Sequence, residues 1–267
     1  MYSYIYEHDK KKGSVMNKKR VEITIPVYNE ERELKNNIVK LTDYCLKNLE
    51  NYDWHITIAD NASIDQTSSI AQTLSQKNTH ISLLRLQQKG RGRAVKQAWI
   101  ESKADLCVYM DLDLSTDLKH LPRILHALEK GYDIAVGSRL AKGAKVEGRT
   151  LLREITSRML NFFFISMIFN THFSDAQCGF KAVNKTIVEE LIPQVIDNSW
   201  FFDGELLIIA EKSGYKIFEE PVHWVDNPGS TVRLISTIWG DLQVMVRLLR
   251  EKPWIKLKKQ KLKMNIL

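Results

Sequence analysis

The stretch Leu106-Cys107-Val108-Tyr109-Met110-Asp111-Leu112-Asp113 joins five apolar residues to two carboxylates that are one residue apart. An extended chain sends alternate side chains to the same face, so Asp111 and Asp113 can point at one place. Open α/β sheets bind their ligands at the carboxyl ends of the strands. Two acids in that place suit a hard divalent cation and the phosphates it carries. A solvated turn after a strand explains the pair equally well, so the rest of the chain has to decide.

Strands and helices are predicted to alternate around this stretch. The patterns predict strands at 21–27, 55–59, 81–86, 106–110 and 134–136, with helices at about 30–49, from 63, 90–99 and 118–130. This alternation indicates an α/β fold with a mostly parallel central sheet flanked by helices. The strands end in polar or small residues, including Asn29, Asp60, Asp111 and Ser138. We therefore expect a polar cleft along one edge of the sheet, where a nucleotide would bind.

The second half of the chain is less regular. We expect a basic amphipathic helix at 150–169, strands at 179–183 and 216–222, and helices from 203 and at 234–249. We divide the chain into an N-terminal tail at 1–19, one catalytic domain at 20–230, and a C-terminal amphipathic helix with a basic tail at 231–267. Met16 is a second candidate for the true start.

Composition limits the class of protein. The 267 residues are 44% hydrophobic, and the three cysteines are far apart, which favours a reducing compartment over a disulfide framework. No signal peptide is recognisable, and no apolar stretch reaches the roughly 20 residues that span a bilayer. The net charge is +7, and residues 251–267 contribute six Lys against one Glu. Basic residues mixed with apolar ones in this tail suit an anionic membrane surface. A solvated, frayed tail is the alternative, and nucleic acid is the less favoured partner.

Several acids and one hydroxyl are candidates for the cleft. Asp60 ends a strand and can accept a hydrogen bond from uracil N3, from a guanine edge or from ribose, or it can cap the next helix. Asp111 suits ribose or a metal, and Asp113 is better placed for the metal and a diphosphate. Ser115 follows the same alternation and can add a weak oxygen ligand. Mg2+ and Mn2+ both accept such oxygens, and the spacing does not distinguish them.

Basic residues could meet phosphates in three places. The turn Gly90-Arg91-Gly92-Arg93 lacks the ending of a Walker loop, and it is either a phosphate-binding turn or a plain connection. Arg139 follows a strand and can bind phosphate as a fork. Arg149, Arg153 and Ser157 are four residues apart, so they share one helix face before the apolar run at 162–169. That face is either a solvated charge stripe or the phosphate site for a lipid phosphate.

In this order, these segments resemble the family-2 glycosyltransferases with a GT-A fold, and within them the dolichyl-phosphate mannose synthases and dolichyl-phosphate glucosyltransferases. The resemblance covers about residues 21–225. It is carried by Ile25-Pro26-Val27-Tyr28-Asn29-Glu30, Asp60-Asn61-Ala62-Ser63-Ile64-Asp65-Gln66-Thr67, Lys89-Gly90-Arg91-Gly92-Arg93-Ala94, Asp111-Leu112-Asp113, Gly137-Ser138-Arg139, Asp175-Ala176-Gln177-Cys178-Gly179-Phe180-Lys181 and Phe202-Asp203-Gly204-Glu205.

The resemblance implies three sets of site residues. A nucleotide sugar would be bound by Pro26, Tyr28, Glu30, Asp60, Lys89, Arg93 and Asp111. Mg2+ or Mn2+ would be held by Asp111, Asp113 and Ser115, and a polyprenyl phosphate by Arg139, Arg153 and Ser157. Some relatives carry Gln in place of Ser115, which puts the third metal ligand in doubt, and many carry Asp in place of Asn61. Many bacterial relatives continue into membrane helices, whereas this chain ends in a basic tail, so we expect a peripheral protein on the cytoplasmic side of the membrane.

The resemblance also implies an inverting transfer of a hexose, with Asp111, Asp113 and Arg139 as catalytic residues. A phosphate acceptor is already anionic at neutral pH, because its second pKa is near ~6, so no strong base is needed. The alternative is transfer to a sugar hydroxyl, for which Asp175 or Asp203 is the candidate base. The stretch 175–181 favours UDP-glucose as the donor, with GDP-mannose second. A non-enzymatic basic binding protein is the least favoured hypothesis, because it leaves the ordered cleft residues unexplained.

Overall fold

The structure is a computed structural model that describes residues 18–148, 159, 165–226 and 234–264. Within these residues the strands are β1 (Lys19–Val27), β2 (Tyr52–Asp60), β3 (Ile81–Arg85), β4 (Leu106–Met110), β5 (Ile134–Ser138), β6 (Lys145–Glu147), β7 (Phe180–Asn184), β8 (Ile217–Pro221) and β9 (His223–Val225). The helices are α1 (Leu34–Asn48), α2 (Thr67–Lys77), α3 (Arg91–Glu101), α4 (Leu121–Glu129), α5 (Phe202–Lys212), α6 (Leu234–Glu251) and α7 (Trp254–Met264). Shorter helical turns lie at Leu118–His120, Ile187–Leu191 and Ile192–Gln194.

One seven-stranded sheet organises the chain, in the order β3-β2-β1-β4-β7-β5-β8. Only β7 runs antiparallel to its neighbours in this sheet, β4 and β5, and the other adjacent pairs are parallel. Strands β6 and β9 form a separate parallel pair. The expected α/β fold with a mostly parallel sheet is confirmed. The carboxyl ends of β1, β2 and β4 therefore meet at one edge, as the predicted cleft requires.

Side-chain alternation along β4 divides the core into two layers. Leu106, Val108 and Met110 pack in the cluster that contains residues of α1, α2 and α4. Cys107 and Tyr109 pack in the cluster on the other face, with residues of α3, α5, α6 and α7. All five residues of β4 are buried. Helices thus cover both faces of the sheet, which explains why this strand is apolar throughout.

Two helices begin later than the sequence pattern predicts. Helix α1 begins at Leu34 rather than near Glu30, and α2 begins at Thr67 rather than at Ser63. The amide of Glu30 donates to the Thr67 hydroxyl at 2.7 Å, so the first loop is held by a partner on the second. Neither β6 nor β9, each three residues long, was predicted. The helix expected at 150–169 lies outside the described residues except for Met159 and 165–169.

The C-terminal residues expected to form a basic tail include helix α7. Trp254 and Leu257 are buried in the second core layer, and Trp254 meets Phe169 edge to face with ring centroids 6.3 Å apart. Ile255 and Leu262, in contrast, are 48% and 65% exposed. None of the described helices combines the length and the hydropathy that crossing a membrane requires.

Candidate active site

Hydrogen bonds between side chains and backbone join the loops that follow β1 and β2. The amide of Asn29 donates to the Ser63 hydroxyl at 3.0 Å, and the Asn29 side-chain oxygen accepts from the amide of Ile64 at 3.0 Å. The bond from Glu30 to Thr67 adds a third link. These residues belong to two of the segments that carry the family resemblance. The loops therefore form one wall of the cleft, and the polar residues of both motifs are needed to build it.

Three non-glycine residues with left-handed backbone angles stand in the loops at this edge. Asn29 has a φ of 54°, Ala62 of 61° and Leu114 of 50°. They follow β1, β2 and β4 respectively. Such conformations are unfavourable for residues with a Cβ and cluster at functional sites, where surrounding contacts hold them in place. Their occurrence in three adjacent loops supports a ligand site at this edge.

Asp60 is fully buried at the end of β2. One carboxylate oxygen, Oδ1, accepts a hydrogen bond from the Ser63 amide at 3.0 Å. The other, Oδ2, finds no hydrogen-bond donor within the described part of the chain, although the exposed Arg85 guanidinium lies 3.8 Å away. A buried carboxylate oxygen without a donor is costly unless a ligand supplies one. Asp60 thus fits its predicted role as an acceptor for a base or ribose donor.

The turn before α3 lies against the same wall. The ammonium group of Lys89 lies 3.8 Å from the centre of the Tyr28 ring, which brings two predicted donor-binding residues together. The side-chain oxygen of Asn61 accepts from the Gly90 amide at 2.7 Å. Arg93 donates to the Lys89 carbonyl at 2.8 Å, so it holds the turn in shape. A residue with a side chain at position 90 would place its Cβ 2.4 Å from the Asn198 carbonyl oxygen.

The first amides of α3 are already occupied. The amides of Gly92 and Arg93 donate to the carbonyls of Ser199 and Asn198, both at 3.1 Å. The sequence suggested that this turn could present a helix N-terminus to phosphates. In the structure these two amides are bonded to protein, so they are not the groups that would bind a phosphate at this place.

Arg91 is the side chain that enters the site from this turn. Its guanidinium donates to Asp111 at 2.5 Å and to Asp203 at 3.1 Å, and its side chain is 14% exposed. Asp203 also pairs with the ammonium of the buried Lys181 at 2.9 Å and accepts from the hydroxyl of Tyr109. Two carboxylates and two cations therefore form one charge network beneath the cleft.

Asp111, Asp113 and Glu30 concentrate negative charge above that network. Burial and then nearby carboxylates, which include Asp113 and Asp111, raise the pKa of Glu30. Burial also raises the pKa of Asp111, and the pairing with Arg91 offsets only part of the rise. Asp113 is exposed, and its Oδ1 accepts from the amide of the buried Ser115 at 3.0 Å. An excess of carboxylate charge at two adjacent acids fits a divalent cation.

The described residues contain no group of three His, Cys, Asp or Glu side chains that could hold a metal ion by themselves. Mg2+ is usually bound through one or two carboxylates together with substrate phosphates and water. The pair Asp111 and Asp113, with the Ser115 hydroxyl nearby in sequence, matches that kind of site. The donor set of the chain thus fits a metal that arrives with, and is completed by, a diphosphate.

Arg139 is engaged with Asp175. The two side chains form a bidentate pair, with Nε to Oδ2 at 2.7 Å and Nη2 to Oδ1 at 2.9 Å, and the Arg139 amide adds a third bond at 3.1 Å. Burial alone would raise the pKa of Asp175, but the Arg139 charge and its hydrogen bonds outweigh it and lower the pKa to about 2. The Arg139 guanidinium also lies 5.0 Å from the Trp224 ring. Its pairing leaves Nη1 as the part of the fork not used by Asp175.

The structure thus brings Tyr28, Glu30, Asp60, Lys89, Asp111 and Asp113 to one edge, with Pro26 as the second-to-last residue of β1. The predicted acceptor residues Arg153 and Ser157 lie outside the described residues, so their role stays a prediction. The sequence placed Arg91 only in a possible phosphate-binding turn, and it gave Lys181 and Asn61 no role in this centre. Each stands inside a segment of the family resemblance, which is the signal that could have identified it.

Comparison with known proteins places these motifs in a family. A family model described as Glycosyl transferase family 2 matches residues 22–192. Glycosyltransferase AglD of Haloferax volcanii is 33% identical over 223 residues, which are 82% of this chain and 35% of that protein. A dolichyl-phosphate beta-glucosyltransferase of Dictyostelium discoideum is 30% identical over 228 residues, 80% of this chain and 69% of that protein. A dolichol-phosphate mannosyltransferase of Pyrococcus furiosus is 34% identical over 173 residues, 64% of this chain and 47% of that protein. The chain thus spans about a third of the length of AglD.

Solved structures show the same fold. Glucosyl-3-phosphoglycerate synthase from Mycobacterium tuberculosis, in complex with Mn2+, UDP and phosphoglyceric acid, superposes with a TM-score of 0.65. The match covers 87% of this chain and 78% of that one, at 14% identity. At that identity the likeness concerns the fold alone, and it confirms the expected GT-A architecture. Because the family model covers well over half of the residues and its motifs meet at one edge of the sheet, the chain belongs to glycosyl transferase family 2.

Proposed function

We propose that this protein is an inverting, metal-dependent glycosyltransferase that moves a hexose from a nucleotide sugar to a polyprenyl phosphate. The observation that carries the proposal is how the two carboxylates that could serve as a base, Asp175 and Asp203, are paired with cations and hydrogen-bond donors. Asp175 is neutralised by Arg139 and has its pKa lowered to about 2, and Asp203 is bonded to Arg91, Lys181 and Tyr109. The pKa of Asp175 is far from neutral, whereas a general base works best with a pKa near the working pH, and the oxygens of Asp203 are engaged by three donors.

An acceptor phosphate removes the need for a base. Its second pKa is near ~6, so an oxygen of the monoester is anionic at neutral pH. That oxygen would attack the anomeric carbon and form the new C–O bond, while the bond from that carbon to the diphosphate breaks. The nucleoside diphosphate leaves with the electron pair, and no proton has to move. The relatives named as dolichyl-phosphate glucosyltransferase and dolichol-phosphate mannosyltransferase support this class of acceptor.

The donor would bind along the wall formed by the loops after β1 and β2. Asp60 Oδ2 would accept from the base or ribose, and Lys89 would meet the phosphates beside Tyr28. Pro26, Glu30 and Arg93 complete the proposed donor site, the last by holding the turn. We favour UDP-glucose as the donor over GDP-mannose, which agrees with the name of the Dictyostelium relative.

Asp111, Asp113 and Ser115 would hold Mg2+ or Mn2+. A bound ion of this kind neutralises charge on the leaving diphosphate as a Lewis acid. The fold neighbour that binds Mn2+ together with UDP supports a divalent ion. Asp113 is the more available ligand of the pair, because it is exposed and Asp111 is engaged with Arg91.

The acceptor phosphate would be bound by Arg139, Arg153 and Ser157. Because Asp175 balances the charge of Arg139, Arg139 would contribute hydrogen bonds from Nη1 and Arg153 most of the positive charge. Position 153 precedes the apolar run at 162–169 in sequence, which suits a phosphate joined to a lipid chain.

We further propose that α6 and α7 contact the cytoplasmic surface of an anionic membrane. Val246, Leu249, Ile255 and Leu262 are between 41% and 65% exposed, and exposed lysines such as Lys259 share α7 with the last two. Vesicle co-sedimentation tests this face. Replacement of Ile255 and Leu262 by Ser should release the protein from anionic vesicles, and unchanged sedimentation would count against a membrane role for these residues.

The decisive experiment is transfer into lipid. The protein is incubated with polyprenyl phosphate, Mg2+ or Mn2+, and labelled UDP-glucose, GDP-mannose and other nucleotide sugars, and the organic phase is counted. We expect label from UDP-glucose in the lipid, and we expect Asp113→Ala to abolish it. Asp53→Ala is the matched control, because Asp53 is an exposed acid at the opposite end of β2.

The same assay separates the alternatives. Label that enters only water-soluble glycans would support a hydroxyl acceptor and overturn the proposal. Absence of label from both lipid and glycans, together with unchanged binding of the Asp113→Ala variant to anionic vesicles, would instead indicate a basic binding protein. Arg153→Ala should abolish transfer to lipid phosphate while hydrolysis of the donor continues, and undiminished lipid transfer would remove Arg153 from the acceptor site.

A further inference from the structure

Arg91 is bonded to one carboxylate oxygen of Asp111, a residue that the proposed function assigns to the metal ion. Its Nη2 lies 2.5 Å from Asp111 Oδ1. The other oxygen, Oδ2, lies against Gly179, where an added Cβ would stand only 1.8 Å from it. Asp111 thus has one carboxylate oxygen bonded to a guanidinium and the other beside the Gly179 backbone, and its side chain is 33% exposed. A cation approaching this carboxylate has to share it with Arg91 or displace Arg91.

The contacts of Arg91 allow it to leave without stranding a buried charge. Asp203, its second partner, keeps the ammonium of Lys181 at 2.9 Å and the hydroxyl of Tyr109. The guanidinium lies between the rings of Tyr109 and Trp200, at 5.3 and 5.2 Å from their centres. Trp200 is 44% exposed, so the side of the Arg91 guanidinium that faces Trp200 lies close to solvent at the rim of the cleft.

We propose that Arg91 is an internal counter-ion that competes with the divalent cation for Asp111, and that a nucleoside diphosphate draws Arg91 away from it. The metal therefore binds weakly alone and tightly with the nucleotide. Guanidinium groups bind phosphate oxygens as a fork, so the diphosphate offers Arg91 a replacement for the bond it gives up. The inference rests on the proposed function in one respect only, the placement of the metal at Asp111 and Asp113.

The test is calorimetric titration of Mn2+ into the protein without nucleotide. Because a hydrogen bond to a charged group contributes enough to change an affinity about tenfold, Arg91→Gln should bind Mn2+ alone about tenfold or more tightly than wild type. Arg20→Gln is the matched control. It removes the same charge, but Arg20 is exposed near the start of β1, at the opposite end of that strand from the cleft, so the affinity for Mn2+ alone should stay unchanged. Equal Mn2+ affinities in wild type and Arg91→Gln would overturn the proposal.

A second titration adds UDP or GDP at saturation. Wild type should then bind Mn2+ at least about tenfold more tightly than without nucleotide. This gain should be about tenfold smaller in Arg91→Gln, because the diphosphate still supplies ligands to the ion but no guanidinium is left to be drawn away from Asp111. Arg91→Lys, which keeps the charge but lacks the fork, should retain more of the gain than Arg91→Gln. A gain of the same size in wild type and in Arg91→Gln would overturn the exchange.

Failure of the metal site is distinguishable from failure of the exchange. If Asp113→Ala in the Arg91→Gln background leaves Mn2+ binding intact, the ion binds elsewhere and the proposed metal site is wrong. If Asp113→Ala abolishes Mn2+ binding but Arg91→Gln leaves it at the wild-type value, the metal site stands and the role of Arg91 is wrong.

Discussion

Replacement of Gly179 by Ala should separate the geometry of Asp111 from the stability of the fold. Gly179 lies directly before β7. The backbone N–H of Asp111 donates a hydrogen bond to the Gly179 carbonyl at 3.1 Å. The φ angle of Gly179 lies outside the left-handed region, so an Ala backbone is unstrained there. The added Cβ, however, would stand 1.8 Å from Asp111 Oδ2 and 2.6 Å from Arg91 Nη2.

The size of the effect follows from these distances. An ordinary contact begins at 3.4 Å, so the Asp111 carboxylate has to move by about 1.6 Å, the difference between 3.4 and 1.8 Å. Overpacking of this kind costs about 1–3 kcal/mol of folding free energy. A displacement of about 1 Å in a catalytic group can lower a rate about 100-fold, so sugar transfer should fall by at least that factor.

The assay pairs urea unfolding with lipid-phase counting of the transferred sugar. Gly240→Ala is the control, since Gly240 lies within α6 and an added Cβ there meets nothing within 4 Å. Gly240→Ala should keep the wild-type transfer rate, and its free energy of unfolding should rise by roughly 0.5–1 kcal/mol because Ala favours a helix more than Gly does. If Gly179→Ala is folded and transfers sugar at the wild-type rate, the position of Asp111 does not matter for the reaction and the reasoning fails.

Three further changes test other parts of the site and the core. Burial raises the pKa of Glu22 to about 7, so the contribution of protonated Glu22 to the free energy of unfolding is fully present below about pH 4.5. That contribution is lost as the pH rises through 7. Glu22→Gln should therefore exceed wild-type stability by up to about 3 kcal/mol in urea unfolding at pH 8.5 but not at pH 4.5, and equal stabilities at pH 8.5 would refute this. Asp175→Asn leaves Arg139 buried without its partner and should lose about 3–5 kcal/mol at pH 7. Because the pKa of Asp175 is lowered to about 2, that deficit should shrink as the pH falls from about 4 towards 2, and a constant deficit would contradict the pairing. Asn61→Ala removes the acceptor of the Gly90 amide and should weaken nucleotide binding several-fold in calorimetry, whereas an unchanged affinity would show that the turn holds its shape without it.

The sequence predicted the features that depend on local patterns. The strand Leu106–Met110 is apolar throughout because helices cover both of its faces, and the two acids that follow it lie at the expected edge. The start of α1 was wrong by four residues because residue 30 is held by Thr67, a partner 37 positions away. Periodicity carries no information about such a bond, so the loop was mistaken for the first turn of the helix.

Long-range pairing also decided which basic residue enters the site. Arg91 and Arg93 have the same chemistry and stand two positions apart, but residues with that spacing do not share a helix face. Arg91 reaches Asp111 and Asp203, whereas Arg93 turns back to the Lys89 carbonyl. Likewise, Arg139 pairs with Asp175, which lies 36 residues further along the chain. This contact depends on the antiparallel placement of β7 between β4 and β5.

The position of β7 has a consequence for the chain as it is synthesised. Strand β4 can pair with β1 as soon as it emerges, but its other edge waits for β7, which begins 70 residues after Met110. At roughly 5–20 residues per second, an apolar strand edge stays open for about 4–14 s on the ribosome. Open edges of this kind are templates for pairing with other chains. We therefore expect the nascent protein to need shielding of this edge during translation. Substitutions that delay the docking of β7 should reduce the yield of folded protein before they alter the chemistry of the finished protein.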